Sequence, residues 1–170
     1  MTYFPVNQPN STIRSRALNK ALPKLLQDAD LLHLSAIWQP LGIQIQREAW
    51  RLGIPVLHSL RGALGPYSRK QGWWKKVPYY FLQERPWLQR AAALHVTTRQ
   101  EQRELHGLGL RAPRHLLSNP VDLKNLGPNP KLGTELRTQL RIDPDSPLIL
   151  ICGRQHHKKG LDLLPSVLST

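Results

Sequence analysis

Five short apolar runs recur along the chain, each followed by a stretch with the polar content and length of a helix. They read "DLLHL" (30–34), "IPVLHSL" (54–60), "ALHVTT" (93–98), "RHLLSN" (114–119) and "PLILIC" (147–152). Runs of this length, rich in Leu, Ile and Val and separated by helix-length segments, describe βαβ units and a mostly parallel sheet. The intervening segments agree. "LGIQIQREAWRLG" places Leu41, Ile45, Ala49 and Leu52 on one helical face before Gly53 ends it, and "TRQEQRELHGLG" reads as a polar surface helix closed by glycine. Between the second and third runs a longer helical region extends to about Ala92, interrupted by Pro78 and Pro86.

The 170 residues suffice for one ordinary domain with a core, and a hydrophobic content of 40% is that of a globular protein. A formal charge of +13 implies an anionic partner: nucleic acid, a lipid surface or a phosphorylated ligand. One cysteine, Cys152, excludes an intrachain disulfide. The N-terminal "MTYFPVNQPNSTIRSR" lacks the basic start and apolar block of a signal peptide, and no run reaches the length of a membrane span, so a cytoplasmic protein is expected. Residues 123–146 shift toward proline, glycine and polar residues, with one helix at "KLGTELRTQLRI", and read as a linker.

In parallel α/β sheets ligands sit beyond the carboxyl ends of the strands, so the loops there carry the chemistry. The most distinctive is "GRQHHKKG" after the fifth run. A glycine allows the turn, Arg154 offers a planar fork for phosphate oxygens, and Lys159 adds a point charge just before Gly160 and a helix start. Together these describe a diphosphate site, against the alternative of two solvated lysines. Adjacent His156 and His157 lack a nearby third ligand, so no metal is expected.

"GRQHHKKGLDLL" resembles the strand-loop-helix that opens the second domain of family-four (group 1) retaining glycosyltransferases, enzymes of the GT-B fold. Four further stretches are similar to that family in order and spacing: "DADLLHLSAIW", "GIPVLHSLRGAL", "ERPWLQRAAALHVTTRQEQREL" and "LLSNPVDL". The resemblance implies a partial GT-B architecture. Residues 1–122 would be the later half of an acceptor-side Rossmann-like domain with helices on both faces, 123–146 a linker, and 147–170 the first strand-helix unit of a donor-binding domain. It implies transfer of a sugar from a nucleotide-sugar to a glycan or lipid-linked acceptor in polysaccharide or cell-envelope biosynthesis. The nucleotide-sugar is a substrate, and no cofactor is expected.

By the same resemblance, Arg154 and Lys159 bind the donor diphosphate, and Arg61 with Gly62 forms the loop facing sugar and acceptor. Arg61 would donate to a phosphate or an acceptor hydroxyl, or else stabilise its loop; both readings are open. His33 matches a family histidine while Ser35 replaces a second, and no catalytic residue is singled out. His33 and His58 read as core histidines, and Asn119 and Asp122 as turn formers. The family's usual first strands and its glutamate-containing donor motif are not found, so the polypeptide by itself is expected to be inactive or nearly so. Finally, "YSRKQGWWKKVPYYFLQERPWLQR" interleaves Arg69, Lys70, Lys75 and Lys76 with Trp73, Trp74, Tyr79, Tyr80 and Phe81. That pattern suits peripheral contact with an anionic membrane at its inner face, more than single-stranded nucleic acid, unless the aromatics simply pack on the sheet. The alternative to an enzyme is a non-catalytic basic module for anionic lipid or nucleic acid.

Overall fold

Four of the five expected strands form in the computed structural model of the protein, which describes residues 2–6, 13–35, 37–124, 127–155 and 159–168. They are β1 (Leu32–Ser35), β2 (Val56–Ser59), β3 (Ala93–Val96) and β4 (Arg114–Leu116), all parallel and in the order β1-β2-β3-β4. The register sets Leu34 beside His58 and Ser35 beside Ser59, then His58 beside Leu94 and Ser59 beside His95. Each chain alternation therefore sorts residues onto the same face across the sheet.

The first helix, α1 (Arg16–Leu26), is not among the expected elements. Ser15 caps it, its Oγ accepting from the Leu18 amide at 3.1 Å, and Leu22 and Leu26 are buried one turn apart in spite of Pro23 inside the helix. Helix α2 (Pro40–Arg51) starts with proline at its first turn and buries Ile43, Gln46 and Ala49. The face is rotated from the expected one: Leu52 lies past the helix end and is exposed, whereas Gln46 is buried. The long region before β3 becomes α3 (Pro66–Lys70), α4 (Trp73–Tyr79), a π-helical turn (Tyr80–Glu84) and α5 (Arg85–Arg90). Pro86 sits in the first turn of α5, where a missing N–H costs nothing, and the Arg85 amide reaches back five residues to the Tyr80 carbonyl. Helix α6 (Arg99–Glu104) then joins β3 to β4.

A sheet laid down in one direction, with crossovers of the usual right hand, places every connecting helix on the same side. The packing follows suit. One cluster combines Leu60, Leu88, Leu94, Val96 and Leu105, the other Leu22, Leu26, Leu34, Ala49 and Val56; both draw on the same face of the sheet. The expected parallel, Rossmann-like sheet flanked by helices is what forms. The opposite face presents His33, Ser35, Ser59, His95 and His115, and among the described residues it carries no hydrophobic cluster.

Chain contacts divide the molecule into residues 1–120 and 121–170. The second unit holds α7 (Pro130–Gln139), capped by the Asn129 side chain on the Leu132 amide, a 3₁₀ turn (Leu161–Leu163) and the short α8 (Leu164–Leu168). Residues 147–152, expected as a fifth strand, form neither strand nor helix, and Leu148 to Ile151 are exposed. A parallel strand exists only through its neighbours' amides and carbonyls, and the described residues of this unit provide none. Among the described residues no helix is long and apolar enough to cross a membrane.

Candidate functional site

Beyond β2 the chain turns through two consecutive left-handed residues, Arg61 (φ +48°) and Gly62 (φ +70°). Glycine adopts this region freely, while for arginine it costs roughly 1–2 kcal/mol, so something must hold it. Both residues are tethered. The Arg61 guanidinium donates through Nε to Ser35 Oγ at 3.0 Å and through Nη1 to Asn119 Oδ1 at 3.1 Å, linking the ends of β1, β2 and the segment after β4. The Gly62 amide donates to Glu101 Oε1.

Glu101 sits on α6 and is only 5% exposed despite its charge. Its second oxygen accepts from the Thr97 amide at 2.7 Å and the Thr97 hydroxyl at 3.0 Å, and the Thr98 side chain caps the Glu101 amide. This is one half of a capping box: Thr98 caps the Glu101 amide, but the carboxylate reaches the Thr97 amide rather than that of Thr98, and its other oxygen fixes the loop after the neighbouring strand. The signal Thr98-x-x-Glu101 was visible in the sequence; its reach to Gly62 was not.

Below these loops a polar chain crosses the uncovered face. His95 Nε2 lies 2.8 Å from the Leu117 carbonyl, which can only accept, so Nε2 carries the proton. In the neutral ring His95 Nδ1 then accepts from the Ser59 hydroxyl at 2.7 Å, and Ser59 Oγ in turn accepts from His33 Nε2 at 2.6 Å. One terminal carbonyl thus orients two imidazoles and a hydroxyl. Ser59 is fully buried, which makes it a link in this chain rather than a nucleophile.

The loop after β1 is fixed by a different acid. Trp38, at φ +71°, donates its amide to Glu84 Oε1 at 2.7 Å and its indole Nε1–H to the Ala63 carbonyl at 2.8 Å, and Lys76 Nζ lies 5.2 Å from its ring centroid. Burial raises the Glu84 carboxyl from its ordinary 4.5 to about 7, opposed in part by the Trp38 amide. Burial also pushes the Tyr80 hydroxyl up to about 12, and that hydroxyl donates to the Leu108 carbonyl.

Residues 3–120, which contain the sheet, its helices and all of these loops, match the Glycosyl transferase 4-like domain. The chain belongs to this glycosyltransferase family. No curated protein matches it closely enough to be counted a relative. The match supports a parallel, Rossmann-like α/β domain of a glycosyltransferase, with a sugar donor and an acceptor as its substrates in general terms.

Within this glycosyltransferase domain the residues singled out earlier fall into groups. Arg61, Ser35 and Asn119 come together; His33 joins Ser59 and His95 instead; His58 is buried in the sheet. Gly62 has its amide committed to Glu101. Asp122, in the second unit, accepts from the Lys124 amide at 3.1 Å, the side-chain turn expected of it. Arg154 and Lys159 are exposed, and Lys159 Cε passes within 3.9 Å of where a Cβ at Gly153 would stand. His156 and His157 lie outside the described residues, and among those described no group of metal ligands assembles. The basic aromatic stretch divides: Tyr80 is buried, whereas Trp73, Trp74, Val77, Phe81 and Leu82 are exposed, with Lys75 Nζ 4.6 Å from the Trp74 ring. Glu84, Glu101, Ser59 and His95 had not been singled out.

Proposed function

We propose that the chain is the acceptor-side part of a glycosyltransferase, together with the opening of its donor-binding part. It would transfer a sugar from a nucleotide-sugar to a glycan or lipid-linked acceptor of the cell envelope. The observation that carries this reading is Arg61, a cation held in a strained conformation at the carboxyl ends of the strands by Ser35 and Asn119. With two of its nitrogens engaged, the guanidinium still has donors to offer an acceptor hydroxyl or a leaving phosphate. Arg154 and Lys159 would bind the donor diphosphate, the first as a fork and the second as a point charge. Exposed Trp73 and Trp74 beside Arg69, Lys70, Lys75 and Lys76 would rest on an anionic bilayer surface.

Titration calorimetry with uridine and guanosine diphosphate sugars tests the donor assignment. Binding is expected to weaken about tenfold in Arg154→Ala and again in Lys159→Ala, as loss of a charged hydrogen bond requires. Donor affinity untouched by the double variant overturns the assignment. Flotation with phosphatidylglycerol vesicles tests the surface: Trp73→Ala and Trp74→Ala together should abolish association. Nucleic-acid binding that is stronger and steeply salt-dependent would favour the non-catalytic alternative.

A further inference from the structure

At the opposite end of the sheet from Arg61, where the chain enters β2 and β3, two tryptophans frame a cavity of about 260 Å³. Trp50 comes from the last turn of α2 and Trp87 from α5; Gly53, Pro55 and Ala92 complete the rim. We infer that this cavity is a second binding site, for a single sugar ring bearing a carboxylate, such as a uronate unit of the acceptor glycan. The inference rests on the glycosyltransferase reading for its ligand class, and on the following geometry for its chemistry.

The indole rings meet at 78° with centroids 6.3 Å apart, forming a corner rather than a slot. A planar base stacks on one flat face and gains nothing from a second wall at right angles to it. A saturated ring instead offers axial C–H groups on its face and hydroxyls on its rim, and a corner receives both. The negative face of an indole suits the C–H groups, and the exposed Arg90 guanidinium, 5.1 Å from the Trp87 centroid and 5.9 Å from that of Trp50, donates Nη1 to the Pro86 carbonyl at 3.2 Å and has further N–H donors for rim oxygens. Arg47, 5.7 Å from the Trp87 centroid, adds a second cation close by. No carboxylate lines the cavity, so the nearby cations favour an anion there.

The walls are preformed. Gln46 is buried and donates Nε2 to the Trp87 carbonyl at 2.8 Å, locking α5 against α2, and the Ile54 amide bonds the Ala49 carbonyl at 2.9 Å to fix the floor. Trp50 nevertheless keeps 60% of its surface exposed, which leaves its ring open to a ligand. The volume falls just below the roughly 300 Å³ at which drug-sized sites begin, which fits one hexose-sized group.

The test is a two-dimensional NMR titration of indole N–H signals in the full chain, with Trp50 and Trp87 assigned through their phenylalanine variants. A glucuronate-containing disaccharide should shift those two signals saturably and leave Trp73 and Trp74 unmoved. Its uncharged counterpart should bind about tenfold more weakly, and Arg90→Gln should erase that difference, since one charged hydrogen bond is worth about that factor. Trp50→Ala, a surface change, should abolish the shifts while circular dichroism confirms the fold. Equal affinity for charged and uncharged sugars, tighter binding of uridine monophosphate, undiminished binding in Arg90→Gln, or no shift at all would overturn the proposal. Titrating the Arg154→Ala and Lys159→Ala chains with both ligands separates the two sites: failure here with intact donor binding refutes only this inference.

Discussion

Replacing Glu84 by glutamine should make the protein more stable at alkaline pH and leave it unchanged in acid. The carboxyl is 3% exposed and receives a single amide bond, from Trp38. Burial there lifts it from 4.5 to about 7. An acid whose folded value is raised binds its proton more tightly in the native state. Its stabilising contribution is therefore complete below pH 4.5 and is lost as the pH rises through 7. At ~1.4 kcal/mol for each pH unit between the two values, the ionised carboxylate costs ~3 kcal/mol above pH 8. Glutamine preserves shape and retains a carbonyl to accept the Trp38 amide, so it removes the charge alone. Urea unfolding of both proteins from pH 4.5 to 8.5 measures the difference directly. The two stabilities should coincide near pH 4.5 and separate to ~3 kcal/mol at pH 8.5, with glutamine the more stable. Parallel curves would refute the placement of a buried, singly bonded carboxylate under the β1 loop.

Three further outcomes are expected. Glu101→Ala strips the acceptor from the Gly62 amide and from both Thr97 donors; it should cost at least ~3 kcal/mol in urea unfolding and speed hydrogen exchange at Gly62. Ser59→Ala breaks the link between His33 and His95 and should cost about 1–3 kcal/mol, accompanied by a shift in both imidazole NMR resonances. Leu94→Ala empties a fully buried site in the main cluster and should cost about 3 kcal/mol by thermal or urea unfolding, with secondary structure retained by circular dichroism.

The strands were legible as short Leu- and Val-bearing runs spaced by helix-length segments, and four such runs coincide with β1 to β4, although one face of them carries His33, Ser35, Ser59, His95 and His115. The loops beyond the strands' carboxyl ends followed from that order, and the family resemblance singled out Arg61 within one of them. What hid were buried polar residues whose partners come from distant chain. Glu101 lies in a segment that reads as a water-facing helix, yet one of its oxygens is claimed by Gly62 in the loop after the neighbouring strand, and Glu84 is hidden under Trp38 from 46 residues away. Helix α1, which was not singled out, contains Pro23 and tolerates the lost hydrogen bond by burying Leu22 and Leu26. Residues 147–152 misled for the converse reason: apolar residues favour a strand, but only pairing makes one.

Each strand of the sheet after the first pairs with the one made just before it. A chain emerging from the ribosome therefore always finds its next partner already present, and the sheet can lengthen by one βα unit at a time without waiting for its carboxyl terminus. Such growth favours vectorial folding, with β1 as the seed. A silent slowing of translation within the α3 to α5 region, the longest crossover, would give β1 and β2 the time they need to dock before β3 arrives.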